Sequence, residues 1–211
     1  MAHLLTPEQE RAQDQARAEM LKREALLAAV LLALWGRARS AEDIRSGTLQ
    51  AVAMGRVSAR VIASQAASRQ LEALGVSPIT VTAPATAREI ERARATAMGA
   101  ADNWGSHYAD AIAAGATHEE AVEAARAASQ WKVRQLSITE TAEVWSDETA
   151  RVADAASRHG TVLWKVWDAV LDRRTCPVCG GAHGTAVLAT ERFPDGEPGA
   201  VHPFCRCQTI L

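Results

Sequence analysis

Apolar and polar positions over the first two thirds of the chain recur at helical spacing, and the breaks between runs carry helix-stop chemistry. Thr6-Pro7-Glu8-Gln9 opens the first run. Thr6 can cap, Pro7 suits the first helical position, and Gln9 can close a capping box. This helix is predicted to reach Trp35 and end near Gly36. A second helix is predicted from the capping residue Ser40 towards Leu74, with Gly55 inside it weakening its continuity. Pro78 and Pro84, with β-branched residues between them, predict an extended connector after Gly75. A third helix is expected from near Ala85 to about Ala114. Gly115-Ala-Thr117 ends it and begins the next, because Thr117-His-Glu-Glu120 is a capping box with acids where the helix dipole favours them. In that fourth helix Trp131, Ile138, Trp145 and Val152 recur every seven residues and mark one apolar side. We read it as packing within its own domain rather than as a coiled-coil seam, since Gln135 and Thr149 interrupt the pattern.

At Gly160 the period changes from that of a helix to that of a strand. Residues 161–167 are β-branched and aromatic, with Val162, Trp164 and Val166 predicted on one face and Leu163, Lys165 and Trp167 on the other. Residues 185–190 and 208–211 are two further strand candidates, with Gly, Pro and Asp supplying the turns between them.

Composition and charge narrow this picture. The 211 residues carry a formal charge of −2 and a pI near 6.3, so no overall basic field points to nucleic acid. The one long apolar run, 25–35, is well short of the roughly 20 residues that cross a bilayer. Polar, helix-forming residues precede it, so it reads as a buried or partner-facing helix rather than a signal-peptide core. In the reducing cytosol this implies, clustered cysteines favour metal over disulfides.

All four cysteines lie near the chain end, as Cys176-Pro-Val-Cys179 and His202-Pro-Phe-Cys205-Arg-Cys207. Two pairs of soft donors brought together by a loop suit a tetrahedral zinc ion. Gly180 after the second cysteine permits the tight turn such a pair needs. Cys205 and Cys207, two apart, would share one face of an extended chain. Cys176, Cys179, His202, Cys205 and Cys207 are thus five candidates for four places, and both a four-cysteine site and a three-cysteine, one-histidine site are chemically sound. His183 is a weaker sixth candidate, read as solvated. One structural Zn2+ per chain is expected, because so many strong donors leave no open position for catalysis. The fold class is therefore α+β, mostly α: an elongated helical body, 1–160, with a break at 75–85, then a small zinc-stabilised antiparallel β-rich C-terminal module, 161–211.

Lys165-Val-Trp167, then Asp172-Arg-Arg-Thr-Cys176-Pro-Val-Cys179, Gly184 and the terminal His202-Pro-Phe-Cys205-Arg-Cys207 resemble the phage Mu F-like minor head proteins, also called phage head morphogenesis proteins. Ile138-Thr139-Glu140 agrees with the segment before the strand. The likeness covers roughly 130–211 and is specific from Lys165 onward. The loop Gly180-Gly-Ala-His-Gly184 and Gly199-Ala-Val201 depart from the family pattern without touching a candidate ligand. The resemblance implies a minor structural protein of a tailed-phage head, acting near the portal in head assembly and in DNA packaging or delivery, made in the host cytoplasm and carried in the virion; separately, the closed donor set leads us to expect no enzymatic activity. Its implied partners are the portal, scaffold or major capsid proteins, with packaged DNA as a secondary one and no membrane. The main rival is a zinc-ribbon nucleic-acid-binding protein, which needs a basic surface around the metal. Here Lys165, Arg173, Arg174, Arg192 and Arg206 face Asp168, Asp172, Glu191, Asp195 and Glu197.

Overall fold

A computed structural model describes residues 5–77 and 87–211. It contains α1 (Pro7–Trp35), α2 (Ala41–Ala73), α3 (Ala87–Ala113), α4 (His118–Arg158), β1 (Trp164–Asp168), a short α5 (Pro177–Ala182), β2 (Ala186–Leu188) and β3 (Gln208–Ile210). Three helix starts follow the caps read from the sequence. Gln9 N–H donates to Thr6 Oγ1 and Thr6 N–H to Gln9 Oε1. Ser40 and Asp43 make the same reciprocal pair, and so do Thr117 and Glu120. The connector expected after Gly75 falls, from residue 78, outside the described residues, as does the Ala85 start expected for the third helix.

The described residues form two compact units, one within Met1–Arg23, Ser58–Ala83 and Ile138–Leu211, the other within Glu24–Val57 and Pro84–Ser137. Residues 161–211 thus belong to a unit that also draws on α1, α2 and α4, and the partition between units does not fall at 160.

In the all-helical unit, Leu27, Leu31, Trp35, Ile44, Trp104, Val122, Val133 and Leu136 share one core. The run 25–35 is buried on one side only, with Leu26, Val30 and Leu32 exposed. Gly55 does not interrupt α2. A Cβ there would lie 3.1 Å from Leu27 Cδ1, so its smallness lets α1 and α2 approach closely. The heptad of α4 holds only in part: Ile138, Trp145 and Val152 are buried, whereas Trp131 is 49% exposed and Val133 and Leu136 are buried in its stead. A helix of 3.6 residues per turn drifts about 20° per heptad, so one seam cannot face inward along the whole of α4. No helix among the described residues is long and apolar enough to cross a membrane.

The other unit carries the sheet, in antiparallel order β2-β1-β3. Its register pairs Lys165 with Val187 and Trp167 with Thr209. The alternation read from the sequence is the one observed: Leu163, Lys165 and Trp167 are buried while Val162 and Trp164 are exposed. The regular strand begins later than expected, at Trp164. β2 is likewise shorter than 185–190. Leu211 at the chain end packs with Ala67, Leu71, Val152 and Leu163, and its N–H donates to Gln70 Oε1. Glu148, fully buried, is held between Arg60 and Arg151.

Candidate metal centre

β1 runs into a loop that ends at Cys176, and here the structure departs from the simple turn expected. Cys176 is the N-cap of α5, its sulfur accepting the Cys179 N–H at 3.2 Å, with Pro177 in the first turn. Gly180 lies inside this short helix rather than serving a turn. Cys179, one turn on, is buried beside the half-buried Cys176.

The second donor arm is held against α4. Gly199 has φ 85°, and a Cβ on it would lie 2.6 Å from the Ala142 carbonyl carbon, so only glycine permits this approach. Phe204, at φ 63°, donates its N–H to Thr139 Oγ1, and Thr209 N–H donates to Ser146 Oγ. Thr139, Ala142 and Ser146 follow one another at three and four residues, so a single face of α4 receives the arm.

All five candidates from the sequence are brought together. Their donor atoms form two overlapping groups, Cys176–Cys179–His202 and Cys179–Cys205–Cys207, each with its atoms within 4.8 Å of one another. His202 Nε2 lies 3.1 Å from the sulfurs of both Cys176 and Cys179. Its Nδ1 is 2.7 Å from the Pro203 carbonyl, an acceptor only, so the proton belongs on Nδ1 and the Nε2 lone pair faces the thiols. Cys179 Sγ and Cys205 Sγ are 3.8 Å apart. Two sulfurs at about 2.3 Å from a tetrahedral zinc are separated by about 3.8 Å. The donor set, rich in thiolate and free of carboxylate, is the soft kind that selects zinc or a similar ion.

The thiols differ in character. The Cys207 thiol, hydrogen-bonded to Cys205, pulls Cys205 down to about 5 against its burial, helped by the N–H groups of Cys207 and Gly199. The Cys179 N–H lowers Cys176. Burial pushes Cys179 up to about 12, and the hydrogen bond to Cys205 together with burial raises Cys207. Burial opposes the charge on His202, but the Pro203 carbonyl and the thiolates of Cys205 and Cys176 raise it nonetheless. The array thus sets thiols that ionise more readily, Cys205 and Cys176, beside two that resist ionisation, Cys179 and Cys207, and a bound cation would favour the thiolate form of all four. No disulfide forms among the cysteines. His183 joins neither group. It is half-exposed, and its Nδ1 accepts the Ala169 N–H at 3.1 Å, fixing the end of β1.

Sequence reasoning missed the anchors of this site. Gly199 departs from the family pattern in the sequence, and a lone glycine in an arm can mark a close backbone approach. Asp172 and Thr175, by contrast, stand in the motif quoted from the sequence, and they close a turn just ahead of Cys176.

Fold and site together define a mostly helical protein that ends in a small antiparallel sheet carrying a cysteine–histidine clamp. The chain matches the family model described as "Phage Mu protein F like protein" over residues 102–210, just over half its length, and it belongs to that family. The match starts within α3, earlier than the motifs alone indicate, and includes all five donors. Membership points to a phage head morphogenesis protein. No match is found among curated proteins or solved structures.

Proposed function

We propose that this chain is a minor structural protein of the head of a tailed phage or phage-like particle, acting beside the portal in head assembly. The observation that carries the reading is the family match over 102–210, which encloses the whole donor cluster. In this reading the C-terminal centre holds one structural Zn2+, with Cys179, common to both donor groups, at its heart. The ion would crosslink α5 to the arm lying on α4, giving a small core the rigidity that apolar burial alone would not supply. In this reading it is a staple and not a reaction centre: four soft donors would close a tetrahedral shell, and neither donor group contains a carboxylate to serve as a base.

Portal, scaffold or major capsid protein would be the partner, and the virion the final location. The half-exposed apolar residues Leu26, Val30 and Leu32 of α1 suit such contacts. The rival nucleic-acid reading is weakened by pairing inside the module. Lys165 is buried against Glu197, and Arg174 and Arg206 both lie on Asp172.

Expression with the neighbouring head genes, followed by sedimentation of procapsids, tests the proposal. The chain is expected with the portal or procapsid fraction and with about one zinc per chain. Absence from both particles would overturn the structural role; metal-free protein with two disulfides would overturn the zinc.

A further inference from the structure

The two halves of the donor set come from separate stretches of chain. Cys176 and Cys179 open α5, whereas His202, Cys205 and Cys207 sit on the arm. Closing such a loop has an entropic cost that the metal would have to meet alone unless protein contacts share it. One such contact lies at the centre. Arg206, between Cys205 and Cys207, donates from Nη2 to both oxygens of Asp172, at 2.7 and 2.8 Å.

Asp172 is an unusually fixed partner for an ion pair near the surface. Its Oδ1 accepts the Arg174 N–H at 2.8 Å, and its own N–H donates to Thr175 Oγ1 at 2.8 Å. The Thr175 hydroxyl donates in turn to the Val170 carbonyl, and Thr175 N–H returns to the Asp172 carbonyl at 3.0 Å. The turn is therefore cross-braced, and its last residue adjoins the cap residue Cys176. Exposed ion pairs are generally worth little because two mobile chains must be ordered to meet. Here the carboxylate is already ordered by the turn, and the Arg206 side chain is only 18% exposed.

We propose that Asp172 and Arg206 are positioning residues of the metal centre. Their ion pair holds the arm carrying Cys205 and Cys207 against the turn carrying Cys176 at ligand spacing, before any metal arrives. The inference rests on the metal-centre reading above and adds how that centre is preorganised. It also differs from the simpler role of Arg206 as a countercharge for the thiolates. A countercharge would act as well or better without Asp172; a latch fails when either partner is removed.

The test uses the full chain and the metal alone. Zinc affinity is measured by competition with a chromophoric chelator for wild type, Asp172→Asn, Arg206→Gln and the double variant. Cobalt(II) spectra report whether the thiolate ligands are retained. Each single variant is expected to bind zinc about 10–100-fold more weakly with the tetrahedral cobalt bands kept, as for other groups that orient ligands. The double variant is expected to be no worse than the weaker single one, because the two residues act as one unit. Wild-type affinity in Asp172→Asn, or additive losses in the double variant, would overturn the latch. Variants that stay unfolded with saturating metal would overturn it too, by making the pair a folding element. A wild-type chain that takes up no zinc would instead sink the metal centre itself.

Discussion

The helical unit built from parts of Glu24–Val57 and Pro84–Ser137 and the cysteine–histidine end of the other unit are made from opposite materials. The first buries leucines, valines and two tryptophans on helix faces, each helix placing its apolar stripe inward. The second gathers Trp167, Ala169, Cys179, Ala182, Phe193, Cys205 and Cys207, so three of its seven buried residues are thiols. Thiols bury well but contribute little apolar area, and a cluster this small cannot stabilise loops by burial alone. What orders one region is surface removed from water. In the other it is a network of donors, an ion pair and a helix face that accepts the arm. The two should therefore respond differently to the same insult.

The sharpest separation comes from Cys179→Ser. Cys179 belongs to both donor groups, so its loss leaves neither complete. Zinc content measured on the purified chain is expected to fall to nearly nothing, with loss of near-ultraviolet signal from the buried Trp167 and little change in far-ultraviolet helix signal. Retained stoichiometric zinc would break the comparison at its root.

Large-to-small substitutions in the cores come next. Trp104→Ala, in the helical unit, and Trp145→Ala, packed on Ala16, Met20, Ala63 and Ala66, should each lower stability by about 3–5 kcal/mol in denaturant unfolding. Only Trp145 lies in the unit that carries the donor cluster, on the helix segment that also receives the arm. Zinc is therefore expected to dissociate at lower denaturant in Trp145→Ala than in Trp104→Ala. Equal release in both would show that the donor cluster does not depend on its own unit's core.

This contrast also explains what could be read from the sequence. Helix starts at Thr6, Ser40 and Thr117 were legible because capping is local: cap and partner are three residues apart. The buried face of β1 was legible because strand alternation has a fixed period of two. The five donors were legible because soft ligands at short spacing are rare by chance. What could not be read were contacts between distant segments. Trp131 looked like a member of the buried seam, and its exposure depends on where α4 meets its neighbours. The shortness of α5, the docking of Gly199 on Ala142 and the reach of Arg206 to Asp172 depend equally on tertiary placement.

Substituting alanine for glycine sharpens the comparison through its sign. At Gly99, inside α3, an added Cβ meets nothing within 4 Å, so Gly99→Ala should stabilise by roughly 0.5–1 kcal/mol through helix propensity. At Gly199 the same methyl collides with the Ala142 carbonyl and the Glu143 nitrogen, and φ is 85° besides. Backbone on both sides cannot rotate away, so about 1–3 kcal/mol of destabilisation is expected, with weaker zinc retention. Thermal denaturation with and without chelator reads both. A neutral Gly199→Ala would mean that the arm does not lie on α4.

The smallest effect concerns two carboxylates whose pKa values are lowered for different reasons. Asp172 is brought from 3.8 to about 2, first by the hydrogen bond from Arg206 and then by the Arg174 N–H. Glu120, in the helical unit, is lowered by the backbone N–H and the hydroxyl of Thr117. Both are depressed acids, so the stabilisation they give is present above their ordinary range and lost as pH falls through the folded value. For Asp172 that window closes only near pH 2. Carboxyl carbon shifts followed by NMR should therefore show Asp172 titrating well below 3.8 in the wild type and moving back towards 3.8 in Arg206→Gln. Added salt should raise the Asp172 midpoint by screening the ion pair, while Glu120, held by its own helix cap, should move less. If the two respond alike to salt and to Arg206→Gln, the ion pair does not carry the Asp172 shift.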